Sequence, residues 1–166
     1  MPVEIERKFL IRKPDFTLVR AQPECRVWQI VQTYLKKFPG SKTERRVRRI
    51  EESGSVVYVY TKKDKLGGFS RMEDEREISE AEYLALLADA KTRIEKTRYR
   101  FPWRGHLMEI DVYPFAYGGR GLEGRAILEV ELSDDGEAFE VPEFLLIERE
   151  LTGTKEFSNK SMAKPV

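Results

Sequence analysis

The chain has one cysteine, one histidine, no long apolar run and almost no net charge. Each scarcity removes a class of function. Cys25 stands alone, so no internal disulfide is available and a reducing, cytoplasmic setting is expected. No apolar stretch approaches the roughly 18 residues that a membrane-spanning helix needs, and the first residues show no basic-then-apolar signal pattern. A soluble protein without a membrane partner is expected. The 30 Lys and Arg against 29 Asp and Glu leave no basic excess. A chain that grips DNA or RNA through its phosphates usually shows one, so a nucleic-acid partner is not expected.

What is abundant is charge of both signs: 36% of residues are charged, against roughly 25% in ordinary globular chains. That mixture suits a site holding cations and anions together. At 166 residues the chain reads as one domain, 1–166, long enough to bury a sizeable core.

Strand-like segments dominate. Val3–Ile11 alternates, and Arg26–Lys36 is rich in β-branched and aromatic residues. Strands over 44–51 and 56–63 flank Ser53-Gly54-Ser55, a hairpin turn, and 70–78 alternates charges. Ser79 reads as a helix N-cap, with Glu82 completing a capping box ahead of the apolar stripe Tyr83, Leu84, Leu86, Leu87, Ala90. Further strands are predicted over 94–101, 106–113 and 126–132. A short helix capped by Ser133 is predicted to end before Pro142, a short strand to occupy 148–152, and a short helix to lie beyond Thr154. Residues 12–25 read as a connection with one helical turn. About eight strands with few helices point to a mainly β (α+β) fold: an eight-stranded antiparallel β-barrel with helices packed outside.

Residues two apart in a strand share a face, and here those faces are charged. Glu4, Glu6 and Lys8 lie opposite Val3, Ile5, Arg7 and Phe9. Glu109 and Asp111 lie opposite Met108, Ile110 and Val112, and Glu129 and Glu131 lie opposite Leu128, Val130 and Leu132. Arg46 with Arg48, Thr61 with Lys63, Lys96 with Arg98, and Arg71 with Glu73, Glu75 and Glu77 share faces too. A solvated face of a half-exposed sheet is the ordinary explanation of any one strand. Yet such faces tend to mix signs, because close like charges repel. The alternative is a water-filled interior with an acidic wall for a hard divalent cation and a basic wall for phosphates. The pattern by itself leaves both readings open.

These elements resemble the CYTH superfamily, the triphosphate tunnel metalloenzymes. Glu4-Ile5-Glu6-Arg7-Lys8 matches the opening E-x-E-x-K signature. Gln32 to Leu35, Arg46-Val47-Arg48, Thr61-Lys62-Lys63, Arg71 to Ile78 and Glu95 to Tyr99 follow in the family's order. Glu109-Ile110-Asp111, Glu129-Val130-Glu131 and the closing Lys155 to Lys160 complete it. Phe157 stands where the family usually has Tyr, and residues 71–78 carry one glutamate too many to assign its pair. The resemblance implies a charged antiparallel tunnel in which Mg²⁺ or Mn²⁺ is held by Glu4, Glu6, Glu131 and Glu129. Lys8, Arg46, Arg48, Lys63, Arg71, Lys96, Arg98 and Lys155 would bind phosphates. Lys8, Glu109 and Asp111 form the implied catalytic set, and Glu73, Glu75 and Glu77 are further candidates for orienting water or the arginines. Phosphoanhydride cleavage needs fixed positive charge and an in-line water, so no Ser, Cys or His nucleophile is required.

Other signals are weaker. Gly119-Arg120-Gly121-Leu122-Glu123-Gly124 fits G-x-G-x-x-G but runs into a strand rather than opening a helix, which reads as a turn-rich connection. His106 reads as a strand-edge residue, Cys25 as a small packed one, and Trp28 and Trp103 as aromatics on the outside of the barrel. Arg45 and Arg49, off the tunnel face, read as solvated. The expected activity is metal-dependent hydrolysis of inorganic tripolyphosphate or of nucleoside triphosphates, by a monomer or homodimer. Alternatives on the same scaffold are a class IV adenylyl cyclase, a thiamine triphosphatase, or a non-catalytic polyphosphate-binding module.

Overall fold

The computed structural model describes residues 3–67, 70–134 and 136–166, and leaves out the side chains of residues 3, 4, 65–67, 70 and 71. Strand β1 spans Val3–Arg12, β2 Arg26–Leu35, β3 Glu44–Glu52, β4 Ser55–Gly67 and β5 Ser70–Ile78. Strand β6 spans Ala90–Trp103, β7 His106–Val112 and β8 Arg125–Leu132. Two short strands follow, β9 (Ile147–Glu150) and β10 (Lys164–Pro165). The helices are small: α1 (Phe16–Arg20), α2 (Glu80–Leu86), α3 (Phe115–Gly118) and α4 (Asn159–Met162). None is long and apolar enough to cross a membrane.

All pairings are antiparallel and run β6-β2-β3-β4-β5-β1-β8-β7, with β7 pairing back onto β6 from Thr97↔Val112 to Trp103↔His106. The sheet thus curves round into a tunnel. Among the described residues β1 and β5 share two residue pairs, Val3↔Met72 and Glu4↔Arg71. Farther along β1, Phe9, Leu10 and Ile11 pair with β8 on one edge and β9 on the other, so this stretch of wall is shared between two partners.

Local chemistry explains the elements. At the β3–β4 hairpin Ser53 and Gly54 both adopt positive φ (51° and 85°), the geometry that matches the right-handed twist of paired strands. Ser79 caps α2 by accepting from the Glu82 amide at 3.1 Å. The Glu82 carboxylate does not return to the cap; it pairs with Arg76 at 2.6 Å instead. Among the described residues no helix forms between Ser133 and Pro142. The Ser133 amide donates to Glu137 Oε1 and the Gly136 amide to Asp134 Oδ1. Such local side-chain acceptors favour a turn over a helix. The 119–124 segment is a turn-rich connection into β8, as expected.

Apolar residues collect in three places. Outside the sheet, Phe9, Phe101, Met108, Ile110, Leu128 and Val130 pack beneath α1 and the 139–145 segment. On the opposite flank Leu35, Val47, Tyr60 and Ile78 pack against Tyr83 of α2. The third cluster lies on the inner face. Leu10, Tyr34, Ile94 and Ile127 meet Leu122, Leu151 and Met162, with Tyr113, Tyr117 and Phe157 against them. Segments 113–122 and 151–163 thus fill one end of the tunnel with an apolar plug.

Candidate active site

Cα partners across an antiparallel ladder project to the same side, so the registers define the tunnel lining residue by residue. Glu6↔Glu131 and Lys8↔Glu129 face inward, as do Glu129↔Glu109 and Asp111↔Arg98. Continuing round, Trp28↔Arg98, Gln32↔Arg48, Tyr34↔Arg46, Arg46↔Thr61, Thr61↔Glu75 and Lys63↔Glu73 share this face. The charged faces of the strands are therefore interior, and the solvated-face alternative is set aside.

The deepest charges form one network. Arg98 donates through Nε to Asp111 Oδ1 at 2.7 Å and through Nη2 to Oδ2 at 2.9 Å, while Lys96 Nζ donates to Oδ2 at 2.8 Å. Arg98 also reaches Glu109 at 3.3 Å and Glu129 at 3.8 Å, and Lys8 lies 3.9 Å from Glu129. Tyr113 donates to Asn159 Oδ1 at 2.6 Å, which ties the plug to this network beside Lys96. Burial would raise the Asp111 carboxyl, but Arg98 and Lys96 outweigh it and hold Asp111 well below the usual carboxylate range. Burial together with neighbouring Arg98 lowers the Lys96 ammonium to about 8. Burial pushes the Glu109 carboxyl up despite Arg98.

The opposite wall is basic. Arg46 lies 3.4 Å and Lys63 3.2 Å from Glu73, and Arg48 donates to Glu75 at 2.7 Å, with Thr61 Oγ1 donating to the same carboxylate at 3.0 Å. Burial and the adjacent Arg46 lower the Arg48 guanidinium to about 10. Of the three glutamates on β5, Glu73 and Glu75 are the two that reach these cations, while Glu77 is exposed.

Not every expected residue joins this constellation. Lys155 is exposed. The side chains of Glu4 and Arg71 lie outside the described residues, although their backbones pair. Among the described residues no three carboxylates already converge as a metal cage. Glu6 and Glu131 nevertheless stand directly opposite on the ladder. Their carboxylates project to the same inner face, and hard carboxylate oxygens suit Mg²⁺ or Mn²⁺. The donor set thus fits such an ion.

Two placements correct the sequence reading, and a third residue was missed by it. Trp28 lies on the inner face, not outside, with the Arg100 guanidinium 4.3 Å from its ring centroid. Arg45 is 3% exposed rather than solvated: it donates to the Tyr60 hydroxyl at 2.9 Å and lies 3.8 Å from the Phe38 ring centroid. Arg100 lines the tunnel in line with Lys96 and Arg98, and its Nε lies 2.8 Å from Glu109. Its place on the same strand face was readable from parity alone.

This geometry has relatives. Over 121 residues, 72% of this chain and 70% of the other, the sequence is 35% identical to the inorganic triphosphatase of Acetivibrio thermocellus. The chain belongs to the CYTH superfamily. No family model matches it. The fold is also shared with a conserved hypothetical protein from Pyrococcus furiosus, with a TM-score of 0.57 at 19% identity and 80% of each chain covered. A candidate adenylyl cyclase from Hippeastrum, described as revealing a dominant triphosphatase activity, gives 0.50 at 14% identity, over 80% of this chain and 81% of its own. In this CYTH chain one end of the tunnel is plugged by the inner apolar cluster.

Proposed function

We propose that the tunnel takes up a triphosphate chain and that the protein hydrolyses its terminal phosphoanhydride, with inorganic tripolyphosphate as substrate and nucleoside triphosphates as secondary ones. The observation that carries this reading is the pairing of an inner basic wall (Arg46, Arg48, Lys63) with the Lys96–Arg98–Asp111 network on the inner face of a sheet whose one end holds an apolar plug. A linear polyanion satisfies many such cations at once, whereas a compact anion satisfies few.

In this account Lys8, Arg46, Arg48, Lys63, Lys96 and Arg98 grip phosphoryl oxygens. Because both walls are already ion-paired, phosphate binding exchanges carboxylate partners for phosphate ones, and Glu73 and Glu75 hold the arginines in place until it does. Glu6 and Glu131, with Glu129 and Glu4, would hold Mg²⁺ or Mn²⁺. When bound, the ion would neutralise charge developing on the phosphoryl oxygens. Asp111 fixes Arg98 and Lys96. Glu109 carries a raised pKa and is suited to accept a proton from the attacking water.

Phosphate release from tripolyphosphate, followed across a Mg²⁺ or Mn²⁺ titration, tests the proposal. Glu131→Gln is expected to raise the metal concentration for half-maximal rate by about tenfold or more, the scale on which ligand environments tune metal affinity. Full activity in excess chelator would remove the metal from the account.

A further inference from the structure

The plug fixes which way round a substrate must lie. Ile94, on the inner face of β6, belongs to the apolar cluster that fills one end. Lys96, Arg98 and Arg100 follow on the same face toward the other end. At roughly 3.3 Å per residue, Arg100 stands about 20 Å along the strand from Ile94. Any organic group attached to a triphosphate must therefore sit at the Arg100 end, because the other end is filled.

Arg100 does not lie there loosely. Its guanidinium is stacked 4.3 Å from the Trp28 ring centroid, and the Arg26 guanidinium lies 5.4 Å from the same ring. Arg26 is in turn gripped by both carboxylate oxygens of Glu52. Arg100 Nε lies 2.8 Å from Glu109, and Arg100 is also among the cations that lower the Glu52 carboxyl. Planar stacking of this kind pre-organises arginine and leaves its outer N–H groups aimed at an anion. The same stacking covers the indole face, so a nucleobase would have to displace the guanidinium before it could stack there.

We propose that Arg100, positioned by Trp28, reads the phosphate at the open end and sets the preference for inorganic tripolyphosphate over nucleoside triphosphates. The inference rests on the triphosphatase reading above. The two substrate classes differ at that point: tripolyphosphate ends in a free phosphate bearing additional negative charge, whereas a nucleotide ends in an ester to a neutral ribose. A guanidinium gains from the first and little from the second. Trp28 is a positioning residue, touching Arg100 rather than the substrate.

The test compares kcat/KM for tripolyphosphate and ATP in wild type, Arg100→Gln, Arg100→Lys and Trp28→Leu, with folding checked by circular dichroism. Loss of a charge-assisted hydrogen bond is expected to lower kcat/KM for tripolyphosphate by about tenfold, chiefly through KM, with ATP changed far less. Arg100→Lys should recover part of the loss, since it keeps the charge without the planar stack. Trp28→Leu should move the substrate ratio in the same direction. Equal losses for both substrates, or an unchanged ratio, would overturn the inference while leaving the triphosphatase reading intact. Wild-type protein that turns over neither substrate would overturn both.

Discussion

Arg98 and Asp111 face one another across the β6–β7 ladder and are joined by two hydrogen bonds, Nε to Oδ1 at 2.7 Å and Nη2 to Oδ2 at 2.9 Å. Asp111 is fully buried and also accepts from Lys96. It is thus the counter-charge for two interior cations. Asp111→Asn should destabilise the protein by about 3–5 kcal/mol, the cost of leaving buried charge uncompensated, and should abolish turnover. Urea unfolding followed by fluorescence measures the first effect. A midpoint close to wild type would show that water, not Asp111, compensates these cations.

The lowered pKa of Lys96, about 8, has two consequences of opposite sign. Phosphate binding needs the ammonium, so kcat/KM should fall as pH rises through about 8, and Lys96→Gln should flatten that limb at a lower rate. In the unfolded chain the group returns to its ordinary value near 10.5. Between these values the unfolded state holds a proton that the folded state has released, so stability rises with pH across the window. The stability of wild type relative to Lys96→Gln should therefore increase from pH 7 to pH 10. A kcat/KM that stays level to pH 9.5 would contradict the assignment of Lys96 to the phosphate site.

Arg48 illustrates a site paid for in stability. Burial and Arg46 both work against its charge, while its partner Glu75 is substantially exposed. Arg48→Gln should leave the thermal midpoint unchanged or raise it, and yet raise KM for tripolyphosphate by about tenfold or more, as expected for a lost charge-assisted contact. A large drop in midpoint with KM intact would make Arg48 a structural residue instead.

The plug makes its own prediction. A Cβ built on Gly121 meets the Phe157 ring at 2.7 Å. Gly121→Ala should push the two plug segments apart and cost about 1–3 kcal/mol, as overpacking does. Denaturant unfolding checks it, and an unaltered midpoint would mean that Phe157 swings aside freely.

Much of this was legible in the sequence because strand parity is strict. Alternation put Glu6, Lys8, Arg46, Arg48, Lys96, Arg98, Glu109, Asp111 and Glu129 on one side, and the registers keep them there. Glu73 and Glu75 were separated from Glu77 by register against β4, which no count along the chain reveals. Trp28 was misplaced for an instructive reason. An aromatic was assigned to the apolar exterior, although parity with Gln32 already set it on the charged face. Leu10, Tyr34, Ile94 and Ile127 interrupt the charged faces in the same way, and they mark the plug. Arg45 could not be read, because its cover comes from Phe38 and Tyr60, brought over it by a loop and by the neighbouring strand. The 133–142 turn was hidden because Glu137 serves both the Ser133 amide and His106.

The most direct measurement is product analysis of purified protein with Mg²⁺ or Mn²⁺, given tripolyphosphate and ATP side by side. The account predicts orthophosphate and pyrophosphate from tripolyphosphate, released faster than any product from ATP. Cyclic AMP and pyrophosphate from ATP, or tight triphosphate binding with no turnover at all, would contradict it.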